Sequence, residues 1–377
     1  MRLVYFSREY TPHDHRFLSA LAQTEHQVFF LCLEGRSTPL EDRALPAEIE
    51  IVNWEGGKSA ARLQDGPRLL RSLKHLIRAV KPDLILAGPI QRSALLVALS
   101  GFQPLVSMSW GYDLLIDARR NALWEWATRY ALKRSAAMVG DCETIRQLAV
   151  SYGMPAERII TFPWGVDLTH FSPRQRQASA SSAERFTLLS TRAWEPLYGV
   201  ELIAQAFARA ADRCPELRLI MLGSGSQAGA IRRILANHDR QLSEFKNPAD
   251  ESARVIFPGQ VSFQNLPRFY HWSDVYVSAS HSDGSSISLL EAMACGKPAI
   301  VSDIPGNREW VQEGVNGWLF PDGDGEALQR AILQAFEQQR RLAEMGRAAR
   351  AIAEARADWQ KNFPNLFRAF AIAQNPG

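Results

Sequence analysis

The side chains best suited to chemistry gather in Ser280-His-Ser-Asp-Gly-Ser-Ser-Ile-Ser-Leu-Leu-Glu-Ala-Met-Ala-Cys-Gly-Lys-Pro-Ala-Ile-Val-Ser-Asp, which follows a strand and reads as polar loop, helix, tight turn and strand. Ser285 and Ser286 fall where the helix begins, so hydroxyls, backbone N–H groups and the positive end of the helix dipole converge there on a phosphate. Asp283 precedes the helix and Glu291 lies eight residues later. One carboxylate can then reach a sugar while the other accepts hydrogen bonds from a ribose diol. An ordinary N-cap followed by a solvated Glu explains the same letters.

A second cluster, Ser190-Thr-Arg-Ala-Trp-Glu-Pro-Leu-Tyr-Gly, follows another strand. The Arg192 guanidinium there can fork onto a diphosphate and neutralise the charge that builds on it as it departs, without a metal; a surface pair with Glu195 is the plainer alternative. Gly223, in Leu222-Gly-Ser-Gly-Ser-Gln-Ala-Gly, opens a glycine-rich turn from a strand into a helix near the same cleft, weak as a dinucleotide fingerprint. The first strand, where an NAD or FAD fingerprint belongs, runs instead into Ser7-Arg-Glu-Tyr-Thr-Pro-His-Asp-His-Arg, which argues against a dehydrogenase. Asp322-Gly-Asp324 looks like a metal-binding pair, but its place in a Pro/Gly turn before a helix points to capping.

These residues need elements to position them. Leu3–Phe6, Val28–Leu31, Leu84–Leu86, Leu105–Met108 and Ala137–Val139 are short, continuous apolar runs alternating with helix-length segments. Continuous rather than alternating apolarity implies strands buried on both faces, hence a parallel sheet covered by helices. The grammar restarts after a polar Ser/Ala-rich stretch, with strands at Phe186–Leu189, Leu217–Leu222, Val255–Phe257, Val275–Val277, Ala299–Val301 and Trp318–Phe320. The expected class is therefore α/β, two Rossmann-like domains facing across a deep cleft: residues 1–173 on the acceptor side, a linker over 174–184, a donor domain over 185–357, and a helix over 358–377 crossing back to the first domain.

In content and order these motifs resemble glycosyltransferase family four, of the GT-B fold. The run from Asp283 to Pro298 is similar to that family's Glu, seven residues, Glu motif, and Trp164-Gly-Val-Asp-Leu, Gly259-Gln-Val and Asn316-Gly-Trp-Leu-Phe follow in the family's order. The resemblance implies that Glu291 binds the donor ribose, Asp283 the transferred sugar, Ser285, Ser286 and Ile287 the phosphates, Arg192 the leaving diphosphate and Val261 the base. The sequence departs from the family where Tyr198 replaces the usual Lys, where Asp283 is one methylene short, and where Trp110 stands in place of a His. On the acceptor side Asp113, then His13, are the groups expected near the hydroxyl that attacks, since a base must reach the proton it removes; for Asp113, capping of the next helix is the competing explanation.

The implied activity is retaining transfer of a hexose from a nucleotide diphosphate sugar, a UDP-sugar before GDP-mannose, to a saccharide or lipid-linked acceptor in glycan biosynthesis. A sugar-nucleotide epimerase or phosphorylase of the same fold and a non-catalytic nucleotide-sugar binder are the alternatives. No metal and no cofactor is expected. The chain's 377 residues and 46% hydrophobic content suit two cores. Net charge of +3 gives no field that argues for nucleic acid. Four scattered cysteines and no signal-like or membrane-spanning segment suggest a cytoplasmic protein. Two basic, amphipathic stretches, Arg68–Lys81 and Arg119–Arg134, leave room for peripheral contact with the inner face of the membrane.

Overall fold

The computed structural model describes residues 1–35, 41, 43–174, 185–236 and 253–375. The chain forms two compact units, Met1–Pro163 with Phe363–Gly377, and Trp164–Asn362. The first is built on seven strands: β1 (Arg2–Ser7), β2 (Gln27–Cys32), β3 (Glu50–Ile51), β4 (Leu84–Ala87), β5 (Leu105–Met108), β6 (Ala137–Gly140) and β7 (Ile159–Thr161). They pair in parallel in the order β3-β2-β1-β4-β5-β6-β7. Every residue of β4, β5 and β6 is buried. Helices cover both faces, which is why these runs carry no polar alternation.

The second unit repeats the plan with β8 (Phe186–Ser190), β9 (Leu217–Leu222), β10 (Val255–Gly259), β11 (Val275–Ser278), β12 (Ala299–Ser302) and β13 (Gly317–Phe320). Its order is β10-β9-β8-β11-β12-β13, again all parallel. One face buries Leu188, Phe207, Leu219 and Ile332, among others, and the opposite face buries Leu189, Ile220, Leu290 and Val301. The order reverses between β8 and β11, and open α/β sheets bind ligands at that switch point, beyond the carboxyl ends of the strands.

The division between units falls before Trp164 rather than after residue 173. Val166 and Phe171 are fully buried in the core that holds Tyr270, Leu290 and Ala353, so this stretch packs as part of the second unit. Of the expected linker, residues 175–184 lie outside the described residues. Beyond Asp358 the chain makes two helices, Trp359–Asn362 and Asn365–Gln374, with Pro364 between them. The second buries Leu366, Ala369, Phe370 and Ala373 and packs against β5, β6 and β7.

Candidate functional site

The loop after β8 carries Arg192, and the loop after β11 carries Asp283 and leads into the helix Ile287–Ala294. β8 and β11 are hydrogen-bonded neighbours at the switch point, so residues 91 to 96 apart in sequence meet. One guanidinium nitrogen of Arg192 donates to Ser286 Oγ at 2.9 Å and Ser288 Oγ at 3.2 Å, and the other donates to Asp283 Oδ1 at 2.7 Å. Its face lies over the Tyr198 ring, 4.1 Å from the centroid. The Arg192 and Asp283 side chains are 11% and 13% exposed. Burial alone would lower the Arg192 pKa, but the Asp283 carboxylate and the nearby phenols of Tyr276 and Tyr198 raise it, so the cation is locked on. Among the described residues, Arg192 Nε and Asp283 Oδ2 are buried with no hydrogen-bond partner. Buried polar atoms are rarely left so, and an unfilled pair of this kind, a donor and an acceptor, suits a polar ligand.

The helix beginning after Ser286 has no side-chain cap at its amino end. Its orphan N–H groups and dipole therefore add to the Arg192 charge. Ser285 accepts a hydrogen bond from Trp310 Nε1 at 3.2 Å, and Ile287 packs against the core. Glu291, on the same helix, is buried and accepts from the Tyr270 hydroxyl at 2.8 Å. Burial, then the Glu291 carboxylate, raises the Tyr270 pKa well above that of a free phenol, so this hydroxyl stays a donor. Gly199 ends the turn that carries Tyr198; it has φ +58°, and a Cβ there would run into the Ala279 carbonyl oxygen. Gly223, at φ +87°, places the turn after β9 so that a Cβ would come within 3.2 Å of the Arg192 carbonyl. Val261, after β10, is partly buried against the core beside this face of the sheet.

Ser288, Tyr270 and Tyr276 escaped the sequence reading. The Tyr276 hydroxyl is 2.7 Å from Ser288 Oγ, completing a chain from Arg192 into the sheet. A Ser one turn before Glu291 in an otherwise apolar helix was the visible signal for Ser288; nothing in the letters around Tyr270 ties it to Glu291. The surface pair suggested for Arg192 does not form: Glu195 instead takes hydrogen bonds from Ser226. Asp324 caps the helix Gly325–Glu337 through the N–H groups of Glu326 and Ala327, and Asp322 meets His281 Nδ1 at 2.6 Å.

The first unit corrects the expectation for Asp113. Its side chain is fully buried and accepts from Ser109 Oγ at 2.6 Å and from the backbone N–H groups of Ile90, Leu114 and Trp110 at 3.0, 3.0 and 3.3 Å. Burial raises its pKa against those hydrogen bonds. A carboxylate so enclosed knits the turns after β4 and β5 together and cannot reach a substrate proton. His13 lies in the first turn of the helix Pro12–Leu21, its ring 5.4 Å from that of Trp110 at 37°. Asp14 beside it is fully buried, taking hydrogen bonds from Tyr5 and Thr11, and burial pushes its pKa to about 6.

Residues 13–170 match the family described as Glycosyltransferase Family 4, and residues 171–352 the family described as Glycosyl transferases group 1. A D-inositol 3-phosphate glycosyltransferase of Geodermatophilus obscurus is 29% identical over 244 residues, 63% of this chain and 52% of its own. The chain thus spans about half the length of that relative. A GDP-mannose-dependent monoacylated alpha-(1-6)-phosphatidylinositol monomannoside mannosyltransferase of Corynebacterium glutamicum is 20% identical over 342 residues, 83% of this chain and 81% of its own. Among solved structures, a sucrose-phosphate synthase from Thermosynechococcus elongatus superposes with a TM-score of 0.77 at 18% identity over 98% of both chains. Anabaena HepE in complex with UDP-glucose gives 0.76 at 18% identity, over 98% of this chain and 99% of its own. Two matched families tiling most of the sequence, on two parallel sheets of this order, mean that the chain belongs to the glycosyltransferases of group 1 and family 4, with the GT-B fold.

Proposed function

We propose that this chain moves a hexose from a nucleotide diphosphate sugar, a UDP-sugar in first place and GDP-mannose in second, to a saccharide or lipid-linked acceptor with retention at the anomeric carbon. The observation that carries the reading is the Arg192 fork beside the uncapped amino end of the helix Ile287–Ala294 at the switch point of the second sheet. In this reading the diphosphate replaces part of the Arg192 pairing. The bond from the anomeric carbon to the phosphate oxygen breaks, and its electron pair leaves with the diphosphate, whose growing charge Arg192 and the helix end stabilise. The acceptor oxygen bonds to the same face of that carbon, and its proton passes to the departing phosphate. Glu291, held by Tyr270, accepts from the ribose hydroxyls, and Asp283 meets the transferred sugar. Ser285, Ser286 and the backbone at Ile287 hold the phosphates, Gly223 lets the neighbouring backbone come close, and Val261 lies beside the base. On the acceptor side His13 remains the candidate. The chemistry calls for no metal and no cofactor.

The relatives support the choice of donors: one is named for GDP-mannose, another is named a UDP-N-acetylglucosamine–peptide transferase, and a structural neighbour was solved with UDP-glucose. Epimerase, phosphorylase and non-catalytic readings find no such support. The test is release of UDP or GDP from UDP-glucose, UDP-galactose, UDP-N-acetylglucosamine and GDP-mannose, with saccharide and lipid-linked acceptors. One donor is consumed in an acceptor-dependent way, and Arg192→Ala abolishes the reaction. Folded protein that neither binds nor consumes any of the four overturns the reading.

A further inference from the structure

The two basic amphipathic stretches part ways in the structure. The helix Gly66–Val80 buries Leu69, Leu73, Leu76 and Val80 in the core of the first unit, so its apolar stripe is fully engaged. The helix Ala122–Arg134 buries only Ala127, Thr128, Ala131 and Leu132. Its other side carries Leu123, 53% exposed, and Trp126, 49% exposed, the latter stacked on Tyr130 at 5.4 Å. Ile116, just upstream, is 40% exposed. These three lie within eleven residues, and the described residues of the chain have only four other large apolar side chains so exposed. Arg119 and Arg120 lie near Ile116 in the chain and Lys133 and Arg134 in the last turn of the helix, all of them exposed as well. At the far end of the helix, Lys133, Arg134 and Arg158 line a cavity of about 670 Å³, facing Asp83. Two carboxylates offset part of this charge: Glu125 pairs with Arg129 at 2.9 Å, and Asp117 lies close to Arg120 and Arg92.

We propose that this face docks the chain on an anionic lipid bilayer, with Ile116, Leu123 and Trp126 entering the headgroup boundary and the arginines and lysines meeting lipid phosphates. Half-exposed Leu and Trp on one helical stripe rimmed by cations is the pattern of an interfacial helix rather than of a solvated one. The basic excess decides the partner: Arg119, Arg120, Arg129, Lys133 and Arg134 outnumber Asp117 and Glu125 along this stretch, and each cation near an anionic surface adds about fivefold to binding. The face also lies where it is useful. Ile116 to Trp126 follow the carboxyl end of β5, the end of the sheet at which ligands bind, so a bilayer there would bring a membrane-borne acceptor to the first unit. That last point rests on the proposed transfer; the docking itself does not.

The test is sedimentation of the full chain with phosphatidylcholine vesicles, with and without phosphatidylglycerol, in the absence of donor. The chain pellets with the anionic vesicles, less so as salt rises, and not with neutral ones. The double variant Leu123→Ser/Trp126→Ser, melting as the wild type does, loses binding by about tenfold or more. Arg71→Ser/Lys74→Ser, on the exposed side of the other basic helix, keeps it. Equal pelleting by the Leu123/Trp126 variant, no pelleting with anionic vesicles, or a wild-type dimer that this variant dissociates while vesicles go unbound each overturn the proposal. A chain that binds vesicles but consumes no nucleotide sugar sinks the proposed transfer and leaves docking standing; the converse result does the opposite.

Discussion

Replacing Arg192 with Lys keeps a cation for Asp283 and removes everything else the guanidinium does. The planar fork reaches Asp283 at 2.7 Å on one nitrogen and two serine hydroxyls at 2.9 and 3.2 Å on the other, and it lies flat on Tyr198. An ammonium on a shorter stem can hold the carboxylate or the serines, not both, and cannot stack as a plane. Each hydrogen bond to a charged group is worth about 1.5–3 kcal/mol and the stack roughly 0.5–2 kcal/mol. Because Asp283 stays paired, little of this falls on folding; it falls on the step in which charge grows on the leaving diphosphate. We expect a loss of about 3 kcal/mol, roughly a hundredfold in kcat/KM, carried mainly by kcat. The assay is steady-state nucleotide release with the consumed donor, alongside thermal melting. A variant that turns over within about threefold of the wild type while holding its melting temperature refutes the role given to the fork.

Three further outcomes follow from particular contacts. Tyr270→Phe withdraws the hydroxyl that Glu291 accepts from and lowers stability by about 1–3 kcal/mol in denaturant melts; an unchanged midpoint would mean that Glu291 is held by other groups. Asp113→Ala strands the buried N–H groups of Ile90, Trp110 and Leu114, so the loss is in the melt, about 3 kcal/mol or more; a variant that melts normally yet does not turn over would restore Asp113 to the chemistry. Asp14 has its pKa raised from 3.8 to about 6 by burial, so the folded chain binds this proton more tightly than the unfolded chain does. Its contribution to stability is full below pH 3.8 and is lost as pH rises through about 6, by roughly 3 kcal/mol. Asp14→Asn flattens the unfolding free energy over that window, and a pH profile identical to the wild type contradicts the assignment.

Much of the fold was legible because buried parallel strands must be written as unbroken apolar runs, as in Leu84-Ile-Leu-Ala and Ala299-Ile-Val. β3 and β7 were not read, since Glu50–Ile51 is two exposed residues at a sheet edge and Ile159–Thr161 is three residues after a turn, too short for any periodicity. The domain boundary was misread for a related reason: a polar linker marks where packing stops, and it is the burial of Val166 and Phe171 that decides which core claims the residues before it. In the site, Arg192 and Asp283 could be anticipated because both follow strands that the topology makes neighbours. Ser288 and Tyr270 depend on side-chain direction on two separate helices, Ile287–Ala294 and Leu266–Trp272, which letters do not carry. Asp113 stood evenly between base and cap in the sequence; its four donors and complete burial make it instead a tie between the turns after β4 and β5, inside a short helix that has no side-chain cap.

The central claim is that one guanidinium and one helix end hold two phosphoryl groups. A structure of the chain with bound UDP tests it most directly. The pyrophosphate should lie within hydrogen-bond distance of the Arg192 guanidinium and of the backbone N–H groups at Ser286 and Ile287, with the ribose hydroxyls on Glu291. UDP bound with its phosphates away from Arg192, while the Asp283 pair stays closed, would contradict it.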